Sequence, residues 1–163
     1  MANLADRLRS FVTWLREKVS PRVPDKPTTP RALAVMEEGP SRDELQSVFH
    51  DAGWNLEIAD DSASASARVE SERFPIILYE RDAKGTGWRQ AVAYFSRLSP
   101  RPCVVLLSRT SDKNLWDELV RCGGFELLRL PVERDAVLRT INAGWSIWGS
   151  QHWPHRRTAK DGF

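Results

Sequence analysis

The chain has 163 residues, of which 41% are apolar, enough for one globular domain with a sizeable core. The charges behind the net value of +2 are unevenly distributed. Residues 1–30 carry six Lys/Arg and three Asp/Glu, and residues 149–163 carry three Lys/Arg and one Asp/Glu. The middle segment is net negative, with 15 Lys/Arg and 18 Asp/Glu. This distribution argues against a nucleic-acid-binding surface spread over the domain and leaves only the two basic ends for phosphates or anionic lipid.

The two cysteines do not indicate a disulfide or metal framework. Cys103 and Cys122 form neither a CxxC pair nor a ligand cluster, so neither a disulfide scaffold nor a zinc site is predicted. Charged residues interrupt the apolar positions near the N-terminus, which argues against a signal-peptide core or a membrane span there. We therefore expect a cytoplasmic protein without a transmembrane segment.

Residues 1–19 have the pattern of an amphipathic helix, with apolar side chains at helical spacing: Leu4, Leu8, Phe11, Val12, Leu15 and Val19. In residues 20–30, four prolines forbid a continuous helix and favour an extended linker. The apolar stripe is expected to pack on the domain or on a second copy of the chain. A role at a membrane surface is the alternative.

Residues 31–148 alternate short apolar runs with amphipathic helices, the pattern of a parallel sheet covered on both faces. The predicted strands are Ala32–Met36, Asn55–Ala59, Pro75–Tyr79, Pro102–Leu107 and Glu126–Leu128. Five such βα units predict an α/β domain with a doubly wound, flavodoxin-like parallel sheet. Functional groups of such sheets lie at the carboxyl ends of the strands.

Helix ends are indicated by capping residues. The S-x-x-E form at Ser41–Glu44 predicts a capping box for the first helix of this domain, and Gly53 follows its end. Asp61 or Ser62 is the predicted cap of the next helix, and Ser111 caps a later one; the last helix is predicted over Val132–Trp148. A basic tail at 149–163 completes the chain.

Three segments of this domain resemble the bacterial response-regulator receiver, a CheY-like domain. PIILYERD (75–82) resembles the family's third strand with its phosphoacceptor, VVLLS (104–108) its fourth strand with a hydroxyl, and GGFELLRLPV (123–132) its fifth strand and the lysine after it. The resemblance covers Arg31 to Trp148 and implies a five-stranded parallel sheet of order 2-1-3-4-5.

Receiver chemistry, as the resemblance implies it, uses four kinds of group. An acidic pair after the first strand holds Mg²⁺, an Asp after the third accepts the phosphoryl group, and a Ser or Thr follows the fourth strand. A Lys after the fifth strand joins the metal in neutralising charge on the phosphoryl group.

Most of these positions are altered in this chain. The acidic pair falls on Met36 and Glu37, with Glu38 adjacent, and the phosphoacceptor position falls on Glu80. Ser108 matches the hydroxyl position, but Leu130 occupies the lysine position and Leu127 that of the aromatic switch residue. The Glu80 carboxylate lies one C–C bond, about 1.5 Å, further from the backbone than that of Asp.

These departures predict a pseudo-receiver of two-component signalling, a phosphorelay protein that is not an enzyme and needs no cofactor. It is expected to bind a protein partner or a second copy through the fourth helix, fifth strand and fifth helix of the receiver, or through the N-terminal helix. Two alternatives stay open: a working phosphoacceptor that uses Glu80 or Asp82 with Mg²⁺ held by Glu37 and Glu38, and a nucleic-acid or membrane adaptor that uses the basic ends. Glu80 itself is either a mimic of the phosphorylated state or a solvated acid.

Overall fold

The computed structural model describes residues 28–152. Within them, five strands and five helices alternate along the chain: β1 (Arg31–Val35), α1 (Pro40–Ala52), β2 (Asn55–Ala59), α2 (Ser62–Ser71), β3 (Ile76–Glu80), α3 (Trp88–Ser96), β4 (Cys103–Ser108), α4 (Lys113–Arg121), β5 (Glu126–Arg129) and α5 (Arg134–His152). The predicted N-terminal helix, most of the linker and the end of the basic tail lie outside these residues.

The strands form one parallel sheet in the order β2-β1-β3-β4-β5. Every neighbouring pair is parallel, and β3 lies in the middle, where Val35 of β1 and Leu106 of β4 both pair with Tyr79. This confirms the doubly wound α/β fold and the strand order expected from the resemblance. All five strands therefore end at one edge of the sheet, which we call the carboxyl edge; the opposite edge is the amino edge.

Side chains alternate between two apolar cores, one on each face of the sheet. Ala32 and Ala34 of β1 face one core, whereas Leu33 and Val35 face the other, as expected from the two-residue repeat of a strand. The first core is covered by α1 and α5 and the second by α2, α3 and α4. Each large apolar side chain that is buried in this way stabilises the fold by about 1.5–3 kcal/mol.

Two of the predicted helix caps are wrong. α1 begins at Pro40 after Gly39 and has no side-chain cap, so the capping box at Ser41–Glu44 does not form. Proline suits this first turn because its missing N–H would have no helical partner there. α4 is capped by Asp112 rather than Ser111, and the Asp112 carboxylate accepts a hydrogen bond of 2.8 Å from the Leu115 N–H.

Two other helix ends agree with the sequence. Asp61 caps α2, and its carboxylate accepts a hydrogen bond of 2.7 Å from the Ser64 N–H. That hydrogen bond is the main reason why the pKa of Asp61 is lowered from its ordinary value. Gly53 ends α1 in the left-handed conformation, with φ of 69°.

The last helix differs from its prediction at both ends. It begins at Arg134 rather than Val132 and continues to His152, four residues beyond the predicted end at Trp148. Gly149 can end a helix, but no proline occurs between Arg134 and Pro154, and the helix continues through the glycine. None of the helices within residues 28–152 is long and apolar enough to cross a membrane.

Two glycines, Gly144 and Gly124, provide a test of this packing. A methyl group at Gly144 of α5 would lie 3.4 Å from the Cys103 Cβ, an ordinary contact, whereas one at Gly124 would overlap the Leu119 side chain and lie 3.0 Å from its carbonyl oxygen. We expect Gly144→Ala to raise the free energy of unfolding by about 0.5–1 kcal/mol, because alanine is the better helix former. Gly124→Ala should lower it by about 1–3 kcal/mol. Urea unfolding of both variants measures the two changes, and stabilisation by Gly124→Ala would contradict the packing described here.

Candidate functional site

The residues implied by the resemblance converge at the carboxyl edge of the sheet. Met36 and Glu37 follow β1, Glu80 ends β3, and Ser108 ends β4. Because β3 lies between β1 and β4, Glu80 lies between the other two groups. The sequence prediction thus located these side chains at one edge, and their roles stay predictions.

Met36 is part of the core rather than of a polar pocket. Its side chain is 1% exposed and packs in the core that α1 and α5 cover. Its backbone N–H donates a hydrogen bond of 3.1 Å to the Ala59 carbonyl and so continues the pairing of β1 with β2. The position that the resemblance assigns to the first acid therefore presents a buried thioether.

The carboxylates nearest to Met36 have partners of their own. Glu37 and Glu38 are exposed, and a Glu37 carboxylate oxygen lies 3.6 Å from the Lys84 Nζ. The Glu37 backbone N–H donates a hydrogen bond of 3.3 Å to the Glu80 carboxylate. The Glu80 side chain therefore folds toward the end of β1, and a salt bridge as exposed as that of Lys84 contributes about 0–1 kcal/mol.

Ser108 is buried and takes part in a short hydrogen-bonded chain. Its Oγ accepts a hydrogen bond of 3.2 Å from the Thr110 N–H, and the Thr110 hydroxyl accepts one of 2.6 Å from the Arg81 guanidinium. The Arg81 backbone N–H also donates a hydrogen bond of 2.9 Å to the Leu107 carbonyl. Hydrogen bonds of Arg81 thus join the loop after β3 to the end of β4 and to the loop that follows it.

The two leucines at the end of the sheet lie on different faces. Leu130 is 3% exposed and belongs to the same core as Met36, whereas Leu127 is half-buried and packs against the opposite core. Arg129, between them in sequence, is exposed. The position that the resemblance assigns to lysine is therefore apolar and inaccessible, and no cation of β5 replaces it on that face.

The loop from Arg81 to Gly87 is also fastened on its other side, to the start of α2. The Ser62 N–H donates a hydrogen bond of 3.1 Å to the Lys84 carbonyl, and the Ser62 Oγ accepts one of 2.8 Å from the Thr86 N–H. The Thr86 carbonyl accepts a hydrogen bond of 2.6 Å from the Tyr79 hydroxyl, and burial raises the pKa of that phenol. Gly85 completes the turn, with φ of 100° and no room for a side chain beside Ser62.

Sequence reasoning missed these contacts. The sequence predicts Ser62 only as an alternative helix cap and Tyr79 only as the last residue of a strand. Arg81 and Thr110 were given no role, although Thr110 follows Ser108 by two residues and a hydroxyl at that spacing commonly bonds locally. Among the described residues, no three His, Cys, Asp or Glu side chains form a group that could hold a metal ion.

Solved receiver domains share this arrangement of strands and helices. The chemotaxis response regulator CheY4 of Vibrio cholerae is 21% identical, with a TM-score of 0.66 over 72% of this chain and 99% of that one. A CheY-like receiver domain from Methanospirillum hungatei is 16% identical, with a TM-score of 0.68 over 76% of this chain and 99% of its own. The beryllofluoride-activated NtrC4 receiver domain, solved in solution as a dimer, is 18% identical, with a TM-score of 0.67 over 72% and 98%.

These likenesses show that the chain has the fold of response-regulator receiver domains. No protein-family model and no curated protein matches the sequence. The fold is therefore shown by structure, and the altered groups at the carboxyl edge are properties of this chain.

The Ser62 contacts predict a measurable loss of stability. Ser62→Ala removes the acceptor of the Thr86 N–H and should lower the free energy of unfolding by about 1 kcal/mol. Ser66→Ala is the matched control, because the Ser66 hydroxyl bonds only the Ser62 carbonyl within α2; it should change stability by less than about 0.5 kcal/mol. Urea unfolding measures both changes, and faster hydrogen exchange in residues 84–87 of Ser62→Ala would locate the loss. Equal effects of the two variants would show that Ser62 does not hold the loop.

Proposed function

We propose that this chain is a receiver-like module of two-component signalling that acts by binding another protein and neither accepts a phosphoryl group nor catalyses a reaction. The supporting observation is the pair Met36 and Leu130. Both are buried in the same apolar core, at the positions that the resemblance assigns to a metal-binding acid and to the charge-neutralising lysine. Two groups that would stabilise a transferring phosphoryl group are thus replaced by hydrocarbon and a thioether.

The donors at the carboxyl edge do not fit Mg²⁺. This ion prefers hard oxygen ligands in near-octahedral geometry, whereas Met36 offers a sulfur atom. The Glu37 carboxylate lies beside Lys84, and the Glu80 carboxylate accepts the Glu37 N–H. We therefore infer that the module works without a bound metal.

Glu80 places a carboxylate at this edge. The Glu80 carboxylate accepts a hydrogen bond from the Glu37 backbone N–H. The Ser108 Oγ accepts one from the Thr110 N–H, and the Thr110 hydroxyl accepts one from the Arg81 guanidinium. A phosphoryl group would have to displace these hydrogen bonds before it could recruit Ser108. We infer that the edge is held in one arrangement and is not switched by phosphorylation.

The binding surface that we propose lies on α4, β5 and α5. Trp116 and Val120, one turn apart on α4, are 36% and 50% exposed although both are large and apolar. Leu115 and Leu119, about 100° around the helix from this pair, are buried and anchor the helix to the sheet. Exposed tryptophan is typical of protein-binding surfaces, so this helix is suited to hold a protein partner or a second copy.

The setting that we propose is the bacterial cytosol. The two cysteines form no disulfide, and burial raises the pKa of Cys103 to about 11, which keeps that thiol protonated and unreactive. Unpaired cysteines agree with a reducing compartment.

Treatment with acetyl phosphate and Mg²⁺ tests the absence of phosphotransfer. We expect the intact mass to stay that of the parent, because Met36, Glu80 and Leu130 replace three groups of the receiver pocket. A phosphorylatable receiver domain treated in parallel is the positive control. An added mass of about 80 Da, that of one phosphoryl group, would overturn the proposal. Loss of that adduct in Glu80→Gln or in Asp82→Asn would then identify the acceptor.

Substitutions on α4 test the binding surface. Trp116→Asp with Val120→Asp should abolish self-association in light scattering, or the capture of the native partner from cell extract, and should leave the unfolding midpoint nearly unchanged. Tyr94→Asp on α3 is the matched control, because Tyr94 is also large and exposed, at 42%, but lies on another helix. If the α4 variant binds as the parent does, the surface is elsewhere.

A further inference from the structure

Three cations that form no salt bridge lie beside the exposed side chains of α4. Arg109 follows β4, Lys113 begins α4 and Arg129 ends β5, and all three side chains are exposed. Within residues 28–152, none of them lies close enough to a carboxylate to form a salt bridge, whereas Arg89 on α3 and Arg134 on α5 each do so. The three charges are therefore available to a partner.

Arg109 and Arg129 lie next to each other at the carboxyl edge. Arg129 pairs with Ser108, the residue before Arg109, so the backbones of the two arginines are about 5 Å apart on neighbouring strands. Leu128 points into the core covered by α1 and α5, so the two-residue repeat of the strand places Arg129 on the opposite face, with Leu127. That is the face on which α4 lies. Like charges on neighbouring strands repel each other, and an anion bound between them relieves the repulsion.

Helix geometry turns Trp116 and Val120 toward the same side of the molecule. The Arg89 Nε on α3 lies 2.5 Å from a Glu118 carboxylate oxygen, so the Glu118 flank of α4 faces α3. Trp116 and Val120 are each two residues from Glu118 and lie about 160° around the helix from it. Lys113 lies about 140° from Glu118, on the same flank as Trp116 and Val120. This flank faces away from α3, toward β5, the last strand of the sheet.

The apolar side chains and the three cations together form what we call the α4–β5 surface: Trp116, Val120, Leu127, Arg109, Lys113 and Arg129. Most carboxylates that are close in sequence do not neutralise it. Asp112 accepts a backbone N–H as the cap of α4, and Glu118 lies on the α3 flank. The Glu126 carboxylate accepts a backbone N–H of β5, and Glu133 precedes α5, which covers the other face of the sheet. Of these carboxylates, Asp117 on the outward side of α4 remains against three cations, so the surface is net positive.

We propose that the α4–β5 surface binds an acidic segment of a partner protein, in which large apolar side chains accompany Asp or Glu. Carboxylates of the segment pair with Arg109 and Arg129, since a guanidinium binds a carboxylate through two parallel hydrogen bonds. Its apolar side chains cover Trp116 and Val120, which are 36% and 50% exposed. This partner chemistry rests on the proposed function, in which α4, β5 and α5 bind a protein.

Charge argues against the other candidate occupants of this surface. In a two-fold dimer the same patch faces itself, so Arg129 and Lys113 of one copy would approach the like charges of the other. The two ends of the chain, residues 1–30 and 149–163, are net positive and are repelled in the same way. Clusters that bind anionic lipid carry about four to eight Lys/Arg, more than the three cations of this surface. An acidic protein segment therefore fits this surface best.

Two synthetic peptides of opposite charge test the partner chemistry. Each has about 16 residues with leucine at helical spacing, and the remaining positions are glutamate in one peptide and lysine in the other. We expect fluorescence anisotropy to show that the full chain binds the acidic peptide at least about tenfold more tightly than the basic one. Binding should weaken as salt is raised from about 50 to about 200 mM, because exposed charges are screened. Amide NMR shifts of the parent should change in α4 and β5 and so locate the contact.

Charge reversal at the two arginines tests the location independently. Arg109→Glu with Arg129→Glu should weaken binding of the acidic peptide by at least about tenfold and strengthen binding of the basic peptide. The matched control is Arg97→Glu with Arg139→Glu, an equal change in net charge at exposed arginines after α3 and in α5. The control should bind the acidic peptide within about twofold of the parent. If a variant folds poorly, as its unfolding midpoint would show, the amide shifts of the parent still decide where the peptide binds.

Several results would overturn the proposal. Equal binding of both peptides by the parent, or equal losses in the two arginine variants, would show general electrostatic attraction. A parent dimer that Arg109→Glu with Arg129→Glu dissociates in sedimentation would assign the surface to a second copy. Binding of the parent to phosphatidylglycerol vesicles that the same variant loses would assign it to lipid. If the acidic peptide does not bind while Trp116→Asp with Val120→Asp still abolishes partner capture, the proposed function stands and the acidic chemistry of the partner is wrong.

Discussion

The structure depends on one constraint, the burial of β3 on both faces of a parallel sheet. Ile76, Ile77, Leu78 and Tyr79 are all buried, so helices must cover both faces and each crossover must return the chain to the same edge. All groups that follow a strand therefore meet at the carboxyl edge, and all groups that precede one meet at the amino edge. The candidate functional site and the entry of the chain are separated by the length of the strands.

At the carboxyl edge, the apolar core extends into positions that polar groups occupy in the receiver pattern. Met36 and Leu130 continue the core covered by α1 and α5, and both are nearly inaccessible to water. Burying a lone carboxylate or ammonium beside either would be costly without its partners, so the loss of one charged group favours the loss of the other. An apolar residue at position 36 is thus compatible with an apolar residue at position 130. The polar residues that remain at this edge hydrogen-bond to one another.

The loops at this edge are joined to one another by hydrogen bonds. The loop after β3 bonds Ser62 on one side and, through Arg81, Thr110 on the other. Such contacts give the buried hydroxyl oxygens of Ser62 and Ser108 hydrogen-bond partners within the chain. The exposed Trp116 and Val120 lie on a helix that this arrangement leaves uncovered.

The sequence by itself determined the fold class, the strand order through the receiver resemblance, and the meeting of Glu37, Glu80 and Ser108 at one edge, because apolar periodicity and parallel topology dictate these features. It did not determine the cap of α4, the end of α5 or the hydrogen bonds that Ser62 and Arg81 make between loops. Neighbouring serine and aspartate residues are equally good caps in sequence, and only the backbone geometry selects Asp112. Ser62 and Thr86 are 24 residues apart, and Arg81 and Thr110 are 29 apart, so their contacts exist only after the sheet has brought the loops together.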